Sequence, residues 1–245
     1  MRRHVFTSIT VLISSLLFNP EPAMAQLFGG DEIIVTASKR SQSDSGVSVT
    51  KRGDFLLLEV QIESDARDPS ERLTEIGSTV DAFLDAAKKD EAIEMSIVES
   101  GTTVRRLTQS NYQQGVSFGG RPDTSVARIR VKTAIPKEVE NSADLATKLS
   151  RFVKGIKETG RISIKTNGST AVSVVDPYQY RNEVVSAVVE EINEITDALG
   201  PEYVAIIEGL DRQVVWSRKG DIDLSFSLPY TYDIIPNTLH SRPLD

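Results

Sequence analysis

Cysteine is absent from this 245-residue chain, and histidine occurs only at positions 4 and 240. Without cysteine the chain forms no disulfide, has no thiolate nucleophile and offers no sulfur ligand to a metal. A triad or a zinc site built from histidine fails because the only histidine outside the first 25 residues is His240, near the carboxyl end. We therefore predict no catalytic, cofactor-binding or metal-binding residues, and carboxylate chemistry is the one kind that the composition leaves open.

Long hydrophobic runs are also lacking. The most apolar one, residues 5–18, has fourteen residues and follows the basic Arg2 and Arg3. It is shorter than the roughly 20 residues that a membrane-spanning helix needs. Pro20 and Pro22 then interrupt the helical pattern. This order of a basic start, a short apolar run and a break is typical of a cleavable secretory signal peptide.

The cleavage site is predicted from small residues that follow the break. Ala23 and Ala25 flank Met24 in the small-x-small pattern after which a signal peptidase cuts, and Gln26 would begin the mature chain. Residues 1–25 are thus expected to be removed on export to the periplasm, with outer-membrane association as a further possibility. The remaining 26 basic and 34 acidic side chains leave a formal charge of −8. Such a chain repels phosphate backbones and anionic lipids, so nucleic acid is not an expected partner.

The spacing of apolar residues predicts three amphipathic helices among many strands. The first helix begins at Asp68-Pro69, the second covers about 142–158 with Gly160 as its cap, and the third follows Asp176-Pro177 and stops at Gly200. Residues 109–124 are predicted to be a polar loop. Strands are predicted over 54–64, over 93–108 as a pair bent near Gly101, over 125–135, over 161–166 and 171–175 as a hairpin around Asn167-Gly168, and over 203–207, 213–217 and 221–234.

The order of these elements favours an α+β fold. Because the helices do not alternate with single strands, antiparallel sheets are expected rather than a doubly wound parallel sheet. The Asp-Pro helix start occurs twice, at Asp68 and at Asp176, and this recurrence leaves both two similar lobes and a single lobe open.

Several stretches resemble the SIMPL domain family of bacterial envelope proteins. They are an early strand at 33–38 or 46–50, the long strand at 54–64, the amphipathic helix at 73–87, the helix at 183–200 with its closing Leu-Gly pair, and the alternating strand at 221–233. The resemblance covers about residues 32–235, with Gly53-Asp54 in place of the usual Pro-Asp. It implies a non-enzymatic periplasmic protein that oligomerises, with no active residues to transfer. The domain is placed at 46–235, with a tail at 236–245.

A second, local resemblance concerns the flexible or strand-prone segment at 26–45. Residues 31–40 resemble the segment that opens many TonB-dependent receptors, where an exposed strand pairs with a partner protein. The partner-binding strand would consist of Glu32, Ile33, Ile34, Val35, Thr36 and Ala37. The competing interpretation is that this segment forms the first strand of the folded domain.

Three functions are therefore compatible with the sequence. The first is a structural or interaction protein of the SIMPL type that contacts itself or other envelope proteins. The second is an accessory to TonB-dependent transport, and the third is a carboxylate-dependent hydrolase using a pair such as Asp221 and Asp223. Trp216, Tyr230 and Tyr232 are expected in the core rather than on a ligand platform.

Overall fold

The structure, a computed structural model, describes residues 32–35, 46–98 and 104–240. The predicted signal peptide, its cleavage residues Ala23, Ala25 and Gln26, and also Thr36 and Ala37, lie outside these ranges. The described strands are β1 Glu32–Val35, β2 Val49–Arg52, β3 Phe55–Ser64, β4 Glu94–Val98, β5 Val104–Arg106, β6 Val116–Phe118, β7 Ser125–Ala134, β8 Ile162–Val175, β9 Tyr203–Glu208, β10 Val215–Arg218, β11 Asp223–Ser227 and β12 Thr231–Pro236. The helices are α1 Pro69–Ala87, α2 Ala143–Lys154, α3 Arg181–Leu199 and the one-turn α4 Asn237–His240.

Three antiparallel sheets organise these elements and confirm the α+β class. The largest has the order β1-β8-β3-β7-β4-β5, with β6 also paired to β7. A second sheet has the order β10-β11-β2, and β9 pairs with β12 in a separate two-stranded ribbon. Helices α1 and α2 pack on the large sheet, whereas α3 packs on β9 and β2. Because the three sheets differ in size, the described elements do not form two lobes of equal size.

Strand β3, which pairs antiparallel with β7, shows why the large sheet forms. Leu56, Leu58, Val60 and Ile62 alternate along β3 and are all buried on one face. Helix α1 covers this face with its apolar side. Asp68 caps the first turn of the helix by accepting hydrogen bonds from the Ser70 and Glu71 amides. Both predictions, the strand and the capped helix, are confirmed. Within the described ranges, no helix has the length and apolar character to cross a membrane.

Gly53 joins the large sheet to the three-stranded sheet at a point of close contact. Its amide donates to the Ile222 carbonyl at 2.8 Å, and the next amide, of Asp54, donates to the Ser173 carbonyl at 2.8 Å. A Cβ at Gly53 would lie 2.0 Å from the Cγ1 atom of Val172. A side chain is therefore excluded where the two sheets meet.

The predicted hairpin at 161–175 is wrong, because β8 runs through it as one strand. Both halves pair with β3 in the same antiparallel sense, from Ile162 opposite Ser64 to Ser173 opposite Phe55. Residues 167–169 form a bulge between these halves, in which Gly168 has a φ of +73°. Of the Asn-Gly pair that predicted the turn, only Gly168 has a left-handed backbone. The chain continues forward because both halves of β8 bury side chains in the same core.

The single strand predicted over 221–234 is also wrong. It divides into β11, which pairs with β10 and β2, and β12, which pairs with β9. Pro229 lies between the two strands and has no amide hydrogen for a ladder. The alternating pattern continues through Tyr232, but the proline ends one sheet before the other begins.

Two smaller differences affect the ends of elements. Helix α2 stops at Lys154 with Gly155 as its cap, and Gly160, with a φ of +66°, lies in the loop that follows. Glycine lowers helix stability, which explains the early end. The loop predicted at 109–124 contains a turn of 3₁₀ helix at Tyr112–Gly115 and strand β6, because Tyr112 is buried in the core.

Candidate interaction surfaces

Strand β1 lies at one edge of the large sheet. It pairs antiparallel with β8, from Glu32 opposite Val175 to Val35 opposite Val172. Ile33 and Val35 pack on the main core, and Ile34 packs with a small cluster on the other face of the sheet. The described part of this segment is therefore the first strand of the fold. Whether residues 32–37 also bind a partner stays a prediction.

A buried ion pair fixes β1 to the sheet. The Glu32 carboxylate lies 2.9 Å from the Lys132 ammonium, and their side chains are only 9% and 2% exposed. The Ser173 hydroxyl donates to the other Glu32 oxygen at 2.7 Å, and the Lys132 Nζ lies 4.1 Å from the centre of the Phe55 ring. Because both charges are removed from water, losing Glu32 would leave the buried Lys132 charge only partly compensated, by contacts that include the Glu94 carboxylate at 3.6 Å.

Other ionisable groups surround this pair. Burial raises the pKa of the Asp54 carboxyl, and the Val175 amide, which donates to it at 2.8 Å, acts in the opposite direction. Burial lowers the pKa of the Arg130 guanidinium, whereas attraction to the Glu59 carboxylate, 3.5 Å away, raises it. These hydrogen bonds and ion pairs join neighbouring strands, so the groups fasten the sheet.

The basic residues Arg128, Arg130 and Lys132 lie on one face of β7 but differ in exposure. Arg130 lies opposite Glu59, and Arg128 lies opposite Gln61, as ordinary cross-strand neighbours. Lys132, on the same face, is buried instead of exposed. Its partner Glu32 is 100 residues away in the chain, so no local pattern reveals this pair.

The ribbon of β9 and β12 presents a different surface. Large apolar side chains exposed within the described ranges number six, and three of them lie at the ribbon or at the adjoining end of α3: Leu199 (49%), Ile206 (41%) and Tyr232 (39%). Val204 and Ile235 are cross-strand partners, on the same face as Ile206. The rings of Tyr230 and Tyr232 stack at 6.3 Å. Among the described strands, neither outer edge of this ribbon is paired.

The carboxylates and aromatic residues outside these two surfaces do not lie together. Asp221 is exposed in the turn before β11, and Asp223 begins β11 with partial exposure. Asp65 binds Arg161 at 2.7 Å, and this hydrogen bond is the main cause that lowers the pKa of the Asp65 carboxyl. Trp216 is half-buried and packs edge-on against Tyr178, at 6.3 Å between ring centres. Within the described residues, no group of three or more metal-ligating side chains is present.

No protein-family model matches the chain, and no curated protein matches its sequence. The resemblance to SIMPL proteins therefore depends on the sequence pattern, and it stays a prediction.

Proposed function

We propose that this chain is an exported envelope protein of the SIMPL type, which acts by self-association and protein contact in the periplasm. The observation that carries this proposal is an exposed apolar patch on the outer face of the β9–β12 ribbon. Ile206 is 41% exposed there and lies two residues from Val204, which pairs with Ile235. Val204 and Ile235 are less exposed.

Two physical properties of the ribbon support association. Two strands alone form at best a marginally stable unit in water, and here only one face is covered, by α3. Clustered exposed apolar residues are typical of contact surfaces, and unpaired strand edges offer free backbone groups to a second chain. A second copy that covers this face would remove apolar surface from water.

The oligomeric state tests the proposal. The protein is purified from a periplasmic extract, where an intact mass beginning at Gln26 checks its export, and multi-angle light scattering gives its molar mass. We expect a concentration-dependent oligomer, and we expect Ile206→Asp to shift it towards monomer because a charge at this position makes the outer face of the ribbon less apolar.

The matched control is Leu73→Asp. Leu73 is an aliphatic residue of similar exposure to Ile206, 38% against 41%, but it lies on α1. It should leave the oligomer intact. A wild-type protein that stays monomeric at every concentration, or equal effects of the Leu73 and Ile206 variants, would contradict the proposal.

A further inference from the structure

A groove with basic sides lies between α1 and α2. It has a volume of about 760 Å³ and is open to solvent. Its apolar lining includes Phe152 and Ile156, which are four residues apart. Four basic side chains, against two acidic ones, also line it: Lys89, Lys148, Arg151 and Lys157, with Asp85 and Asp90. Within the described ranges, only Lys148 among these cations forms an ion pair, with Asp90 at 3.3 Å.

The outward face of α3 has the opposite charge. Val189 is half-buried along it, and Val185, four residues earlier, is half-buried where α3 packs against the main core. Glu190, Glu194 and Asp197 share a shallow depression with these valines, and no basic side chain lines that depression. Within the described part of the chain, none of the three carboxylates is ion-paired.

We propose that the outward face of α3 in one copy docks in the α1–α2 groove of a second copy. This inference rests on the proposed self-association and adds a second, charged contact to that of the ribbon face. Each copy has one basic groove and one acidic helix face, so every copy both donates a helix and accepts one.

The charges of the two surfaces support this docking. Glu190 and Glu194 are four residues apart on α3, so they lie on the same face of the helix, about 6 Å apart along its axis. Laying the apolar side of one helix in a groove between two others is a common mode of peptide recognition. The acidic residues of α3 would then meet Arg151 and Lys157 at the sides of the groove.

The contact has a defined symmetry and salt dependence. Because it joins two different surfaces, it is head-to-tail, and it closes into a ring or continues as a filament. Charge pairing at the margin of an interface is screened by salt, so added sodium chloride should weaken the assembly.

Charge reversal tests the inference. The first variant is Arg151→Glu/Lys157→Glu, and the second is Glu190→Lys/Glu194→Lys. Each places like charges against each other, so each should raise the dissociation constant at least about tenfold in sedimentation equilibrium. An equimolar mixture should assemble again, because the acidic groove of one variant matches the basic helix of the other, and the converse pairing also matches.

The control is Glu138→Lys/Glu140→Lys, which makes the same change in net charge as the second variant, at exposed positions outside both surfaces. It should assemble like the wild type, and circular dichroism should show all variants folded. If both reversal variants assemble normally, or if the mixture fails to assemble, the inference is wrong while self-association through another surface stands. The inference also fails if the control loses assembly. A monomeric wild type would contradict the proposed function itself.

Discussion

The large sheet and the β9–β12 ribbon share antiparallel pairing but differ in what covers their faces. In the large sheet, Leu56, Val60 and Ile129 are fully buried beneath α1 and α2. In the ribbon, α3 covers one face, and Ile206 and Tyr232 remain exposed on the two strands. Similar apolar side chains are thus buried in the large sheet and partly exposed in the ribbon.

This difference assigns different roles to the regions. Burial of apolar surface within one chain stabilises the fold, at about 25 cal/mol for each Å² removed from water. The same surface left exposed can be buried only by another molecule. We therefore expect the large sheet to set the stability of the monomer and the ribbon, with α3, to set its association.

The largest expected effect comes from matched isoleucines in the two regions. Ile129→Ala, at a fully buried position, should lower the free energy of unfolding by about 4 kcal/mol, because it removes packed atoms and leaves a cavity. Ile206→Ala, in the ribbon, should cost less than about 1 kcal/mol in the monomer. Urea unfolding at a protein concentration low enough to avoid assembly measures both. Equal losses would remove the distinction between the regions.

An intermediate effect is expected from the buried ion pair of the large sheet. Glu32→Gln leaves the Lys132 charge buried without its nearest carboxylate, so we expect a loss of about 3 kcal/mol. The double variant Glu32→Gln/Lys132→Met should recover most of it. The exposed pair of Lys165 and Glu63 is the control, and breaking it by Lys165→Met should cost less than about 1 kcal/mol. Similar losses for both pairs in urea unfolding would contradict the importance given to burial.

The smallest effect concerns pH. Burial raises the folded-state pKa of Asp54 above its ordinary value of 3.8. Its protonated form is thus favoured in the fold, and the stability that it contributes below pH 3.8 is lost as the pH rises through the folded pKa. Asp54→Asn does not titrate, so its stability relative to wild type should increase from acid to neutral pH. Unfolding curves across this range measure the difference, and one that stays constant or falls would refute this assignment.

Local patterns predicted the elements whose signals lie within one stretch of chain. The alternation at 54–64 and the capping residue Asp68 predicted β3 and α1 because each buries one regular face. The same reasoning failed where tertiary pairing decides the outcome. Nothing near residue 168 tells a hairpin from a bulge, and only the shared partner β3 makes β8 continuous.

The interaction surfaces were predictable to a smaller extent. The sequence indicated that residues 32–35 are strand-prone and left two interpretations of them open, but it did not indicate their buried partner Lys132. The acidic face of α3 is visible in its sequence, whereas the basic groove needs both α1 and α2 in place. Complementarity between distant surfaces depends on folded geometry, which the spacing along one segment does not contain.

The bulge in β8 also makes the length of that strand adjustable at one point. The pairings of residues 162–166 and 170–173 with β3 are set independently on either side of it. Gly168 faces open space, since no atom lies within 4 Å of where its Cβ would be. Residues inserted there would lengthen the bulge. The register of each half of β8 with β3 would stay unchanged, and so would the alternation of side chains that point into the core. The longest of the described strands therefore also contains a natural point for grafting a tag.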